Sequence, residues 1–186
     1  MRGRLAALLA AGAIACPPSE PPRPPPEATP AGDDAALPDP AAAPVNRAAG
    51  ETVVLTAPRV DGAGLDLREL RGKAVIVELT ASWATGWPEI VDFYREVLAP
   101  RRGEVAVVLV VMDGERDALA QEPGGLGPDL ALCWDPQGAV AAQLQAAAIP
   151  TVLVLDRAGR LVAAMGAEAR SPQRIRDALS SALAAP

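Results

Sequence analysis

Four near-continuous apolar runs constrain this chain more than any other feature: Ala74 to Leu79, Val105 to Val111, Thr151 to Leu155 and Leu161 to Met165. Most are rich in β-branched residues and show little polar alternation. That pattern suits strands buried on both faces. The short stretch Leu130 to Trp134 reads as a further extended segment. Segments of helical spacing fall between them. Ile90, Val91, Tyr94, Val97 and Leu98 repeat at helical intervals, with Pro88 suited to the first turn. Gly138 to Ala147 is a second helix, and a weaker one lies near Glu115 to Gln121. The last opens on Ser171 as cap and Pro172 as first residue, with Ile175, Ala178, Leu179, Ala182 and Leu183 as its apolar stripe. Asp156-Arg157-Ala158-Gly159 reads as the turn between the last two strands. Alternating strands and helices, closed by a hairpin and a helix, predict an α/β sandwich with a mixed central sheet.

Composition excludes several functions. The sequence contains no histidine, which removes Ser-His-Asp and Cys-His catalysis and the commonest zinc ligand. The formal charge of −6 argues against a nucleic-acid partner, because phosphate binding needs clustered Lys and Arg. Half of the residues are hydrophobic but only 3% are aromatic, so the core must be built from Ala, Val, Leu and Ile. No metal and no cofactor is expected. Glu122 to Pro128 is glycine-rich but lacks the Lys of a phosphate loop, and reads as surface. Asp113-Gly114 and Asp61-Gly62 read as turns. The acids Asp113, Glu115 and Asp117 read as a solvated helix start rather than a cation site.

The N-terminal part is organised differently. Arg2 and Arg4 precede an apolar run from Leu5 to Ala15, too short to span a bilayer and suited to a signal-peptide core. It ends in Ala13-Ile14-Ala15-Cys16, which resembles the bacterial lipobox, where cleavage precedes a lipid-bearing cysteine. Residues 1–15 are therefore expected to be a lipoprotein signal, with Cys16 the lipidation site. On that reading the chain is secreted across the inner membrane. It is then anchored by lipid in the cell envelope, on the periplasmic side. Residues 16–50 read as a Pro-rich, disordered tether. Pro17 to Gly50 holds eleven of the 20 prolines and almost no large aliphatic residue, too little to fold alone. At about 3.1 Å per residue such a segment reaches on the order of 100 Å. A spacer that holds the domain off the membrane and a passive linker are both open. Residues 51–186 form the expected folded domain.

Three segments carry a family resemblance. They are Leu70 to Trp83, Trp134 to Val140 and Ile149 to Val162. In this order and spacing they resemble the membrane-tethered thioredoxin-like proteins of the TlpA/ResA type. The resemblance implies a thioredoxin-like three-layer α/β/α sandwich. In that family the strand ending in Ala-Ser-Trp runs into Cys-x-x-Cys at a helix start, and the two thiols exchange disulfides. Here those four positions read Ala84-Thr85-Gly86-Trp87, so Ala84 and Trp87 stand where the thiols would. Trp83 matches the tryptophan before the first cysteine. Ile149-Pro150 matches the family's residue before a cis-proline and the proline itself, a bend that pairs with extended peptides. A trans proline at a strand start is the alternative. Glu78 stands where many thioredoxins bury a carboxylate, and burial there disfavours the anion. Lys73, in the family's Gly-Lys before the first core strand, reads most simply as a solvated strand end.

The residues leave a vacant redox position in an otherwise kept context. Trp87 either plugs the space or faces solvent as a contact. Binding is assigned to Trp83, Trp87, Ile149 and Pro150, with an envelope protein or extended peptide segment as partner and the membrane reached through the lipid. Cys133 is the rival nucleophile, through which a thiol-disulfide oxidoreductase or a peroxidase-like redox protein would act. Free cysteine is among the most buried residue types, so Cys133 reads first as structural. Asp129 and Asp135 are the nearby acids expected to raise its pKa. A passive scaffold is the remaining alternative.

Overall fold

The computed structural model describes residues 44–81, 87–116, 119, 127–167 and 171–186, with only the backbone of Trp87 and Pro88. A hairpin of β1 (Thr56–Pro58) and β2 (Gly64–Asp66) comes first. Its turn holds Gly62 at φ +92°, and the Asp61 carboxylate accepts from the Ala63 N–H. Then follow β3 (Ala74–Thr80), α1 (Trp87–Leu98), β4 (Val105–Val111), β5 (Leu130–Trp134), α2 (Ala139–Leu144), β6 (Thr151–Leu155), β7 (Leu161–Gly166) and α3 (Pro172–Ala184).

Five strands form one sheet in the order β5-β4-β3-β6-β7. β3 runs parallel to β4 and β4 to β5, while β6 is antiparallel to β3 and β7 to β6. The sheet is therefore mixed, as the apolar runs suggested. β3 and β4 are buried along their whole length, which explains their lack of alternation. Alternate residues serve two cores. Ala74 and Ile76 face Ile90, Val91 and Tyr94 of α1 and Ile175 and Leu179 of α3. Val75, Val77 and Leu79 face Val140 and Leu144 of α2, together with Leu55, Leu65 and Leu67 from the hairpin region. The result is three layers, with helices on both faces of the sheet.

Local signals end the elements where the residues demand. The Ser171 hydroxyl accepts from the Arg174 N–H and caps α3. Asp135 lies only 3% exposed and its carboxylate accepts from the N–H groups of Ala139, Val140 and Ala141 at the start of α2. α2 is shorter than the expected Gly138 to Ala147 helix. It stops at Leu144 because Gln145 takes a left-handed φ of +56°. The turn after β6 closes through the Gly159 N–H on Asp156 O, with Gly159 at φ +74°. Of the weaker helix, Arg116 and Leu119 are helical, and the rest of Glu115 to Gln121 is outside the described residues or non-helical.

The folded body begins before residue 51, which corrects the expected tether boundary at residue 50. Val45 bridges antiparallel to Ala146 and is 1% exposed. The Asn46 N–H donates to Gln145 O at 3.1 Å and the Ala147 N–H to Pro44 O at 3.0 Å. The Arg47 guanidinium donates to Gln143 O and Leu144 O. One buried valine and a short antiparallel pairing suffice to hold this segment on the domain. Among the described residues no helix is long and apolar enough to cross a membrane.

Candidate functional site

The expected site gathers at one end of β3. α1 begins at Trp87, shortly beyond that end, so the four positions 84 to 87 lead directly into a helix start. Trp83, Ala84 and the side chain of Trp87 lie outside the described residues. Opposite, Ile149-Pro150 is a cis peptide bond just before β6. Leu79 of β3 pairs with Thr151, so the sheet itself places Ile149-Pro150 beside the end of β3. Ile149 is half-buried against the α2-side core. The Thr151 hydroxyl donates to Ala148 O at 2.6 Å and braces the bend. Among the described residues, the backbone N–H and C=O of Ile149 make no hydrogen bond. A peptide donor and acceptor therefore stand ready at a half-buried position.

Beneath α1, Glu78 is fully buried and accepts a hydrogen bond from the Tyr94 hydroxyl. Thr80, two residues on along the same face of β3, is also fully buried. Its hydroxyl has no partner among the described residues. Glu78 is thus an interior carboxylate held by α1, and not a rim group. Tyr94 as its partner was hidden in the sequence because it first reads as one member of an apolar stripe.

Cys133 lies in β5, 0% exposed, among Val108, Val110, Val140 and Leu144. Burial pushes its thiol up to about 12. The charges that act on it are Arg59, which lowers the value, and Asp61, which raises it. Arg59 forms a bridge with Cys133 along the outer edge of β5. The expectation that Asp129 and Asp135 set the thiol is corrected, since both carboxylates are committed elsewhere. Asp135 caps α2. Asp129 takes Lys73 Nζ at 2.7 Å and the Gly103 N–H at 3.1 Å. The Lys73 ammonium holds the Asp129 carboxyl below its usual range. Lys73 is therefore an ion-pair partner tying β3 to the turn before β5, and not a solvated strand end. Cys16 lies outside the described residues. Among the described residues no group of three could hold a metal.

The topology and the position of the Ile149-Pro150 bend are shared with solved structures. A Chlorobium tepidum protein assigned as a thiol:disulfide interchange protein DsbE superposes with a TM-score of 0.61 at 21% identity. The match covers 73% of this chain and 98% of that one. The fold is thioredoxin-like. The exposed lipoprotein thioredoxin Etrx1 of Streptococcus pneumoniae matches with a TM-score of 0.56 at 24% identity, covering 69% of this chain and 99% of that one. A DsbF homologue from Corynebacterium diphtheriae matches with a TM-score of 0.59 at 21% identity, covering 70% and 85%. No protein-family model matches the sequence, and no curated protein does. On the thioredoxin-like frame, positions 84 to 87 and Ile149-Pro150 fall on the two sides of one surface. The sequence reading paired them in the same way.

Proposed function

We propose that this chain is an envelope lipoprotein, anchored through Cys16. Its thioredoxin-like domain holds an extended polypeptide without covalent chemistry. The observation that carries the reading is Ile149. Its N–H and C=O are unpaired among the described residues, at a half-buried position beside the end of β3. An extended segment can pair with them strand-to-strand, while Trp83 and Trp87 supply aromatic contact area. The sequence places Ala84 and Trp87 where a dithiol would act. Alanine carries no nucleophile and indole does not exchange with disulfides, so no mixed disulfide forms there. The signal, the lipid anchor and the Pro-rich tether before residue 44 belong to this proposal.

The second reading is thiol-disulfide exchange, favoured by what the similar structures are: a thiol:disulfide interchange protein and a DsbF homologue. Cys133 would have to perform it. Full burial and a thiol raised to about 12 speak against that, because the thiolate is the nucleophile. A disulfide-reduction assay separates the two. The binding reading expects no turnover that depends on Cys133. Turnover by the wild type that disappears in Cys133→Ser overturns it. Loss of polypeptide capture in Trp87→Ala is the positive counterpart, and unchanged capture leaves only a passive scaffold.

A further inference from the structure

We propose that Ala41 to Ala43 continue the Pro44–Asn46 strand along Ala148 and Ile149, so that the chain carries its own occupant for the surface assigned above. The inference deepens that assignment and rests on it for its functional consequence. The pairing of residues 44 to 46 with 145 to 147 is antiparallel, and Val45 stands opposite Ala146. Continued in the same register, Ala43 falls opposite Ala148 and Ala42 opposite Ile149. Hydrogen-bonded pairs alternate along an antiparallel ladder. Pro44 sits at such a position, accepting from the Ala147 N–H, but it has no N–H to return. The next such position is Ala42 with Ile149. Both residues carry an N–H and a C=O, and those of Ile149 make no hydrogen bond among the described residues. The ladder thus points directly at the unpaired groups.

Two further features favour the continuation. Pro38, Pro40 and Pro44 each bias the residue before them to extended backbone, so Asp39 and Ala43 are set for strand pairing. Pro44 is seated on the sheet, its Cβ 3.6 Å from where a side chain on Gly166 would begin. Its anchoring fixes the point from which the alanines start. Covalent attachment one residue away gives them a high local concentration at Ile149. A polypeptide partner then binds by displacing them.

The test uses the full chain with Cys16→Ser and a cysteine pair, Ala42→Cys with Ile149→Cys. Opposed residues of a hydrogen-bonded pair lie about 5.5 Å apart at Cα, within disulfide reach. Ala35→Cys with Ile149→Cys is the control for a merely tethered thiol. The register predicts closure of the first pair at least about tenfold faster than the control under mild oxidation. The probe for binding is a carboxymethylated, permanently unfolded polypeptide, which has no thiol. Its affinity for the closed form is expected to fall at least about tenfold against the reduced form of the same protein. Equal closure rates, with binding still lost in Trp87→Ala, overturn this inference alone. Fast closure with undiminished binding overturns the shared surface here and the proposed binding site with it.

Discussion

Cys133 illustrates how one residue's chemistry follows from its neighbours. Its thiol is raised from 9.0 to about 12, chiefly by burial. Both folded and unfolded chains keep the proton below about 9, so stability is unaffected there. Between about 9 and 12 the unfolded chain releases a proton that the folded chain retains, and stability falls as pH rises. Iodoacetamide at pH 8 should therefore leave Cys133 intact in the native protein and alkylate it after denaturation, read by mass. Native labelling at the denatured rate contradicts the burial. Asp129 carries the opposite sign. The Lys73 ammonium lowers its pKa from 3.8, so its contribution is present above that value and lost as pH falls through the lowered folded value. Asp129→Asn should cost about 1 kcal/mol near neutrality in denaturant unfolding. The gap to wild type should close in acid below pH 4. A gap that persists unchanged there contradicts the pairing. The sequence already exposed the types of these residues but not their partners. Asp129 and Lys73 are 56 positions apart, and only the parallel packing of β3, β4 and β5 brings them together.

Element by element, the apolar runs proved readable because burial on both faces removes alternation. β4, β5 and β6 span the expected residues. The Ser171-Pro172 start of α3 was equally legible, since cap and first-turn proline act locally. What escaped was the strand-like segment at Pro44 to Asn46. It offers one valine and no periodicity, and its partners are about 100 residues away. Val45→Ala tests its weight. Removing two buried carbons should cost about 1–2 kcal/mol, measured by denaturant midpoint at unchanged slope. An unchanged midpoint would show that the segment adds nothing to the domain. The end of α2 escaped for a related reason. Gln145 adopts a conformation usually reserved for glycine, and the adjoining Ala146 is committed to Val45.

For the molecule as a whole, a thioredoxin-like frame surrounds a position without thiols. The frame was legible because three separated segments kept their order and spacing, and the same sheet brings them together. The surface beside Ile149 was only half legible. Sequence marked Ile149-Pro150, but an unpaired backbone N–H and C=O is a property of the fold, which no residue type announces. The account's central claim is that this surface binds polypeptide without using a thiol. The most direct measurement is equilibrium binding of a carboxymethylated, unfolded polypeptide to the full chain, comparing wild type, Cys133→Ser and Trp87→Ala. The account predicts equal affinity for wild type and Cys133→Ser, and a loss of about tenfold or more for Trp87→Ala. Binding that falls with Cys133→Ser while Trp87→Ala leaves it unchanged contradicts it.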